Sequence, residues 1–216
     1  MTLVVVTGMP GAGSSTVVKE GLKRCGERCG ERCGEGERER AGGFTPLNYG
    51  DVMFEAAKEE GLVESRDEMR RLPGEKQREI QLLACHKIAE LERGGKRKGG
   101  GKSKNLIIDT HCTVKTRFGY LPGLPERVLR VLKPDLFVLV EAEPAEISRR
   151  RQTDKTRQRD VEAEKSIEEH QFMNRAVSMA YACLTSASVK IIENHQGELE
   201  RAAEEFSALL KALSES

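Results

Sequence analysis

Hydrophobic residues fall into short uninterrupted runs that alternate with longer amphipathic stretches. Four runs are rich in β-branched side chains, as strands buried on both faces are: Leu3 to Thr7, Leu106 to Asp109, Leu136 to Val140 and Val189 to Ile192. Apolar residues recur three and four positions apart in stretches 52–61, 77–92 and 199–213, which predicts amphipathic helices. Buried strands that alternate with helices predict βαβ units around a parallel sheet.

Two segments rich in glycine and charge interrupt this pattern. Residues 25–42 contain a Cys-Gly-Glu-Arg motif that repeats almost three times, and residues 93–104 combine glycines with lysines and arginines. Such low-complexity composition is typical of surface insertions. We therefore expect residues 1–216 to form a single domain with two insertions, although the first segment could also be a frayed extension of the preceding helix.

The composition indicates a globular protein without a marked preference for polyanions. Of 216 residues, 38% are hydrophobic and 33% charged, with 36 basic against 35 acidic side chains. This balance argues against a dedicated nucleic-acid-binding protein, and no stretch is long and apolar enough to span a bilayer. The N-terminus has no basic leader or cleavage site. We therefore expect a soluble cytoplasmic protein whose six cysteines are free thiols.

A glycine-rich segment follows the first apolar run. Gly8 and Gly13 stand between the predicted strand and a predicted helix, which is the context of a phosphate-binding loop. Backbone N–H groups turn inward in such a loop, and the helix N-terminus adds partial positive charge. Ser15 supplies a hydroxyl for magnesium, but Ser14 stands where the loop usually has a lysine. A tight turn without a phosphate role is the alternative at this point.

An arginine-rich stretch, residues 149–160, follows the third apolar run. Phosphoryl transfer depends on neutralisation of negative charge more than on covalent catalysis. A glycine loop combined with arginines after a later strand therefore indicates a kinase-type site. The alternative is a solvated helix face with ion pairs four residues apart, such as Glu146 with Arg150.

Seven short motifs cover most of the chain outside the two insertions: Val5–Thr16, Asn48–Met53, Ser65–Leu72, Ile108–His111, Gly119–Pro125, Asp154–Asp160 and His170–Arg175. In this order they resemble the archaeal-type adenylate kinases, a branch of the P-loop nucleoside monophosphate kinases. The resemblance implies the three-layer α/β/α fold of the P-loop NTPases, with a central parallel sheet of five strands.

The resemblance also implies roles for individual residues. The phosphates of ATP would bind the loop formed by Gly8, Met9, Pro10, Gly11, Ala12, Gly13, Ser14, Ser15 and Thr16. A short lid, residues 149–160, would contribute Arg150, Arg157 and Arg159. A monophosphate-binding region, residues 48–95, would contact AMP through Gly50, Asp51, Arg66 and Arg70, joined by His111.

Two of these residues have other interpretations. Asp109 would orient magnesium through a water molecule, but an aspartate at a strand end can instead cap the following turn. His111 would touch substrate, but a histidine in this position can equally be satisfied by backbone groups.

The expected reaction is the reversible transfer of the γ-phosphoryl group of Mg-ATP to AMP, which gives two ADP. Two alternatives remain open: a kinase for another nucleoside monophosphate, and a P-loop ATPase or assembly factor that acts on RNA or on a protein partner. The resemblance implies a homotrimer. No structural zinc is expected, because the lid segment has no cysteine and the spacing of Cys25, Cys29 and Cys33 matches no common zinc site.

Overall fold

Parallel strands and helices alternate along the chain in the computed structural model, which describes residues 2–28, 43–97, 105–153 and 164–215. In chain order the elements are β1 (Leu3–Gly8), α1 (Ser14–Arg28), β2 (Phe44–Asn48), α2 (Tyr49–Glu59), α3 (Arg66–Arg71), α4 (Gly74–Arg97), β3 (Asn105–Thr110), β4 (Thr113–Thr116), β5 (Gly119–Pro122), α5 (Glu126–Leu132), β6 (Leu136–Glu141), α6 (Pro144–Thr153), α7 (Glu164–Thr185), β7 (Ser188–Glu193) and α8 (Leu199–Glu215).

Five of the strands form one parallel sheet in the order β2-β3-β1-β6-β7. In the register of the sheet, Val5 on the central strand lies between Ile108 and Phe137. The predicted fold class, with a central parallel sheet of five strands, is confirmed. Each of the four apolar runs is a strand of this sheet, and β2 at one edge is the fifth.

Helices cover both faces of the sheet and give the molecule three layers. On one face α1 and α8 pack through Leu22 and Phe206 against the even-numbered valines of β1. On the other face α4 and α5 pack through Ile88 and Leu129 against β3 and β6. Because both faces are covered, β1 and β6 consist entirely of buried residues.

The helix boundaries refine the sequence expectations. The helices expected over 52–61, 77–92 and 199–213 are α2, α4 and α8, and each begins or ends a few residues from its expected limit. Helices α1 and α4 extend to Arg28 and Arg97, so both insertions begin inside a helix. The remainder of each insertion lies outside the described residues.

Helix α7 packs through Ile167, Tyr181 and Ala182 and also forms hydrogen bonds to the rest of the fold from buried polar side chains. The hydroxyl of Thr113 on β4 donates to Asn174 Oδ1 at 2.5 Å, and the His170 Nε2 lies 3.0 Å from the same hydroxyl oxygen. Gln171 exchanges two hydrogen bonds, of 3.1 and 3.3 Å, with the backbone of Ala142 after β6. These bonds fix α7 to both the sheet and the β4–β5 hairpin.

None of the four described cysteines forms a disulfide: Cys25, Cys85 and Cys112 are buried, and Cys183 is exposed. Burial raises the pKa of both Cys85 and Cys112 to about 11, so these thiols stay protonated and unreactive at neutral pH. Cys29 and Cys33 lie outside the described residues. Among the described helices, none has the length and apolar character needed to cross a membrane.

Candidate active site

The candidate site lies where the carboxyl ends of the parallel strands meet. The connection after β1 leads to β2 on one side of it, whereas the connection after β3 leads to β6 on the other side, so the two connections run in opposite directions. A parallel sheet has its ligand crevice at such a switch point. The segments that follow the strands here begin at Gly8 after β1, Asp109 near the end of β3, and Asn194 after β7.

The predicted phosphate-binding loop is formed by backbone rather than by side chains. Met9 and Ala12 are buried in a small cluster with Ile147 of α6, so their side chains anchor the loop to the fold. Gly11 and Gly13 adopt φ angles of +99° and +90°, which only glycine tolerates readily. Pro10 has no N–H group and the Ala12 amide donates to the Met9 carbonyl at 3.0 Å, so the amides of Gly11, Gly13 and the start of α1 are those that the loop can present to a ligand.

Asp109 lies directly beside the start of α1. The Ser15 hydroxyl donates to Asp109 Oδ2 at 2.5 Å, and the Ser14 hydroxyl lies 3.5 Å from Oδ1. Burial raises the pKa of Asp109, an effect that the hydrogen bond from Ser15 and the charge of His111 only partly offset. The carboxylate is therefore held in a position where an added cation would stabilise it.

His111 is fixed by its surroundings close to the loop. Its Nδ1 lies 3.3 Å from the carbonyl oxygen of Gly8, so one ring nitrogen has a backbone partner while the residue stays exposed. The next residue is anchored on both sides, because the Cys112 amide donates to the Thr7 hydroxyl at 2.7 Å and its carbonyl accepts from Gly123 at 2.7 Å. His111 can therefore keep its contact with the Gly8 backbone and still be reached by a ligand.

The arginine triplet lies on α6, which packs against the loop. Arg150 Nη1 donates to the carbonyl oxygens of Gly11 and Ala12 at 3.4 and 3.3 Å. Arg151 Nε donates to the carbonyl oxygen of Pro10 at 2.6 Å. The two arginines therefore place positive charge against the loop, as the kinase interpretation of the sequence requires.

Glu146 connects α6 to the segment after β7. It lies 4.0 Å from Arg150, which is the pairing expected for a charged helix face, and it accepts a backbone hydrogen bond from Gln196 at 2.8 Å. The ring of His195 bridges two carboxylates, with Nδ1 3.4 Å from Glu146 and Nε2 3.4 Å from Glu193. Arg150 therefore forms both the ion pair expected for a charged helix face and the hydrogen bonds to the loop carbonyls.

The His195 bridge should make part of the stability depend on pH. Burial lowers the pKa of His195, but the contacts with Glu146 and Glu193 raise it more, so the net pKa lies above its ordinary value. The bridge therefore contributes fully below about pH 6.5 and is lost as the pH rises through the raised pKa. We expect the stability difference between wild type and His195→Gln, below about 1 kcal/mol for a partly exposed pair, to shrink over that range.

Thermal unfolding at a series of pH values measures this difference. His86→Gln, which removes an exposed histidine from α4, is the control. A His195→Gln difference that is constant from pH 5 to pH 9, or that grows with pH, would contradict the assignment.

The residues predicted to contact AMP lie beside Asp109 in the neighbouring strand and helices. Asn48 pairs with Asp109 in the register of β2 and β3, and its side chain caps α2 by accepting from the Asp51 amide at 3.2 Å. Asp51 forms an ion pair with Arg66 of α3. The Arg66 guanidinium also lies 5.6 Å from the centre of the Phe54 ring. An acidic and a basic side chain are thus held together next to the loop.

For the other predicted site residues, the structure gives only a position in a helix or does not describe the residue. Gly50 is in the first turn of α2 and Thr16 in the first turn of α1. Arg70 is on α3, but its side chain is outside the described part of the chain, and Arg157 and Arg159 lie outside the described residues altogether.

The sequence analysis did not predict a role for two polar residues at the carboxyl ends of the strands. Asn194, after β7, donates from Nδ2 to the Ala12 carbonyl oxygen at 2.8 Å. Glu141, at the end of β6, accepts from Arg175 Nε at 2.9 and 3.0 Å. Glu141 directly follows one apolar run and Asn194 comes two residues after the end of another, and that position was the signal that could have identified them.

No group of three or more His, Cys, Asp or Glu side chains suited to a metal ion occurs within the described ranges. The expected lack of structural zinc remains a prediction, because much of the cysteine-containing repeat lies outside those ranges. Elemental analysis of the purified protein would test it.

Comparison with known proteins assigns the chain to a family. A family model described as an AAA domain matches residues 7–168. The adenylate kinase of Methanopyrus kandleri is 50% identical over 212 residues, which are 98% of each chain. The adenylate kinases of Methanothermobacter thermautotrophicus and Methanocaldococcus jannaschii are each 48% identical and align with 98% and 97% of this chain and with 100% and 98% of their own. The chain belongs to the adenylate kinase family.

Family membership confirms the predicted adenylate kinase function and the class of nucleoside monophosphate phosphotransferase. These relatives are archaeal, in agreement with the archaeal-type resemblance of the motifs. Among solved structures, a shikimate kinase from Bacteroides thetaiotaomicron aligns with 97% of this chain and 98% of its own at 15% identity and a TM-score of 0.45, too distant a likeness to carry an argument.

Proposed function

We propose that the enzyme transfers the γ-phosphoryl group of Mg-ATP reversibly to AMP and gives two ADP. Three features that this reaction needs lie together at the carboxyl ends of the parallel strands. They are a backbone loop suited to phosphates, the Ser15–Asp109 pair, and the Asp51–Arg66 pair on the neighbouring helices. Their common location is the observation that carries the proposal.

The phosphates of ATP bind residues Gly8 to Thr16 through backbone N–H groups. Helix α1 begins at Ser14, so its N-terminal partial positive charge faces the phosphates. Glycine at positions 11 and 13 allows the positive φ angles of this loop. Arg150, which already contacts the loop carbonyls, supplies positive charge where the usual lysine is replaced by Ser14.

Ser15 and Asp109 are the residues that hold magnesium in this proposal, Asp109 through water. Hydroxyl and carboxylate oxygens are ligands that magnesium prefers, and the ion usually keeps several waters. The two side chains lie 2.5 Å apart, and the buried carboxylate, whose pKa is raised, gains from a nearby cation. When bound, magnesium neutralises charge on the β- and γ-phosphates.

AMP binds on the side of α2 and α3. A planar guanidinium can donate two parallel hydrogen bonds to a phosphate, and Arg66 exchanges Asp51 for the AMP phosphate when AMP arrives. Arg70 follows one turn later on the same helix. Gly50 and His111 border the same space from α2 and from the end of β3.

Catalysis consists of alignment and charge stabilisation. In-line transfer requires the acceptor oxygen and the γ-phosphorus to be held together while charge spreads over the transferred group. Arg150 stabilises this charge from α6, joined by Arg157 and Arg159 from the lid sequence. The Arg157 and Arg159 assignments rest on the resemblance alone.

A coupled assay of ADP formation tests the proposal. The purified enzyme is given Mg-ATP with AMP, CMP, UMP or GMP, or with no acceptor. We expect rapid ADP formation that depends on AMP. A preference for another monophosphate would identify a different kinase, and ATP hydrolysis without an acceptor together with tight polyanion binding would favour the ATPase alternative.

Ser14→Lys should tighten ATP binding about tenfold, since a charge-assisted hydrogen bond contributes about 1.5 kcal/mol. The new ammonium would extend from the first turn of α1 towards the β- and γ-phosphates. Without a phosphate, a cation at a helix N-terminus is unfavourable by about 0.3–1 kcal/mol. Calorimetric titration with ATP compares wild type, Ser14→Lys and the uncharged control Ser14→Met. Equal affinity in all three would contradict a phosphate at this position.

We further propose that the enzyme is a cytoplasmic homotrimer. The outer face of α7 exposes Phe172, Met179 and Leu184, and the β4–β5 hairpin exposes Phe118 and Leu121. Exposed apolar patches of this kind indicate surfaces that another protein covers. Sedimentation equilibrium should give three times the chain mass for wild type, and Met179→Glu should shift the protein towards monomer. A monomeric wild type at micromolar concentration would exclude the trimer.

A further inference from the structure

Three consecutive carbonyl groups of the phosphate loop accept hydrogen bonds from side chains. The Pro10 carbonyl accepts from Arg151, and the Gly11 and Ala12 carbonyls accept from Arg150. The Ala12 carbonyl also accepts from Asn194 Nδ2, at the shorter distance of 2.8 Å. These partners come from α6 and from the segment after β7.

Fixing a carbonyl fixes the next amide as well. In a trans peptide the C=O and N–H bonds are coplanar and point in opposite directions. When Asn194 holds the Ala12 carbonyl, the Gly13 N–H must point in the opposite direction, away from Asn194. That N–H belongs to the glycine at the end of the loop, directly before α1.

Asn194 is itself held on every side. The residue is 5% exposed, its amide N–H donates to the Glu141 carbonyl at 2.7 Å, and its carbonyl accepts from Arg150 Nη2 at 2.8 Å. A Cβ atom placed on Gly13 would lie 2.6 Å from Nδ2. The Asn194 side chain therefore has little space to rotate towards another hydrogen-bond partner.

We propose that Asn194 is a positioning residue for ATP, because it orients the Ala12–Gly13 peptide for phosphate binding and holds Arg150 against the loop. A buried donor is suited to this task because its hydrogen bond to the Ala12 carbonyl fixes the direction of the Gly13 N–H. Without a lysine at position 14, the loop depends more on the direction of its own amides. This inference rests on the proposed binding of ATP phosphates by residues 8–16.

Asn194→Ala removes the side-chain hydrogen bond and retains both backbone hydrogen bonds of residue 194. We expect the Kd for ATP to rise about five- to tenfold, as for one lost hydrogen bond to a group that positions a charge contact. The KM for ATP should rise with it, while the Kd for AMP stays within about twofold. Calorimetric titrations with each nucleotide at 25 °C and steady-state kinetics measure these quantities.

Asn174→Ala is the matched control. Asn174 is also 5% exposed, and its side chain accepts from Thr113 of the β4–β5 hairpin at 2.5 Å. It should lower the Tm as much as Asn194→Ala and leave the ATP affinity unchanged. A purely structural Asn194 would behave in the same way, so an ATP Kd within about twofold of wild type in folded Asn194→Ala overturns the proposal.

Asn194→Asp gives a second variant of the same shape. Its carboxylate would place an acceptor against the Ala12 carbonyl, so ATP affinity should fall at least as far as in Asn194→Ala. If neither variant folds, the role of Asn194 is structural and the proposal is wrong. Gly13→Val distinguishes failure of the proposed ATP-binding loop from failure of the Asn194 inference. If it binds ATP normally, the loop assignment and this inference both fail, whereas loss of binding only in Gly13→Val removes the inference alone.

Discussion

Gly13→Val should lower ATP affinity by at least about a hundredfold and leave the protein folded. The φ angle of +90° strains a β-branched residue, and the new Cβ would meet Asn194 Nδ2 at 2.6 Å. Because Asn194 is buried and bonded through its own backbone, the loop must move instead of the amide. The loss of two charge-assisted hydrogen bonds, each about 1.5–3 kcal/mol, accounts for an effect of this size.

Isothermal titration calorimetry with ATP measures the effect, and Gly119→Val is its control. Gly119, the first residue of β5 after the hairpin turn, has a φ angle of +110°, and an added Cβ would meet no described atom within 4 Å. Strain at Gly119 should lower the Tm but keep ATP affinity within about twofold. If Gly13→Val bound ATP as wild type does, residues 8–16 would be a structural turn.

Asp109→Asn should reduce kcat at least about a hundredfold, the typical cost of removing one well-placed electrostatic group from a reacting centre. The substitution keeps the size of the side chain and an oxygen that can accept from Ser15, so the fold should be retained. It removes the negative charge that would attract a hydrated magnesium ion. We therefore also expect half-maximal activity to require more magnesium than in wild type.

Steady-state kinetics over a range of magnesium concentrations tests this expectation. Asp135→Asn is the control. Asp135 directly precedes β6, at the amino-terminal end of the strands and thus opposite the candidate site, and accepts from the Leu3 amide at 2.7 Å. Its kcat should stay within about twofold of wild type. An Asp109→Asn enzyme with kcat within about threefold would show that Asp109 only caps the turn after β3.

Hydrophobic patterning predicted the central elements because their environment is uniform. The runs that became β1, β3 and β6 are covered by helices on both faces, and such burial selects continuous apolar sequence. The fourth run, β7, was expected to be buried as well, but it is an edge strand in which only Ile192 is buried. Strand β2 escaped prediction because it is short and contains Pro46. Proline is tolerated there since β2 is an edge strand with one neighbour.

Helix α7 shows why periodicity can fail for a long helix. Its buried positions include His170, Gln171, Asn174 and Ser178, while Phe172 and Met179 are exposed. Although Ile167, Tyr181 and Ala182 are buried too, a buried face with this many polar residues departs from an ordinary amphipathic helix. The buried polar groups are satisfied by the hairpin and by the backbone after β6, and those partners are far away in sequence.

By itself, the sequence determined the parallel sheet, the strand–loop–helix context of residues 8–16 and, through its motifs, the family. These features are local, because a run of apolar residues or a contiguous glycine loop carries its own signal. The tertiary structure alone decided which groups support the loop. Asn194 lies 182 residues after Ala12 and reaches it only because β7 and β1 flank β6 in the same sheet. The order of strands results from packing between distant segments, so no local pattern could assign that contact.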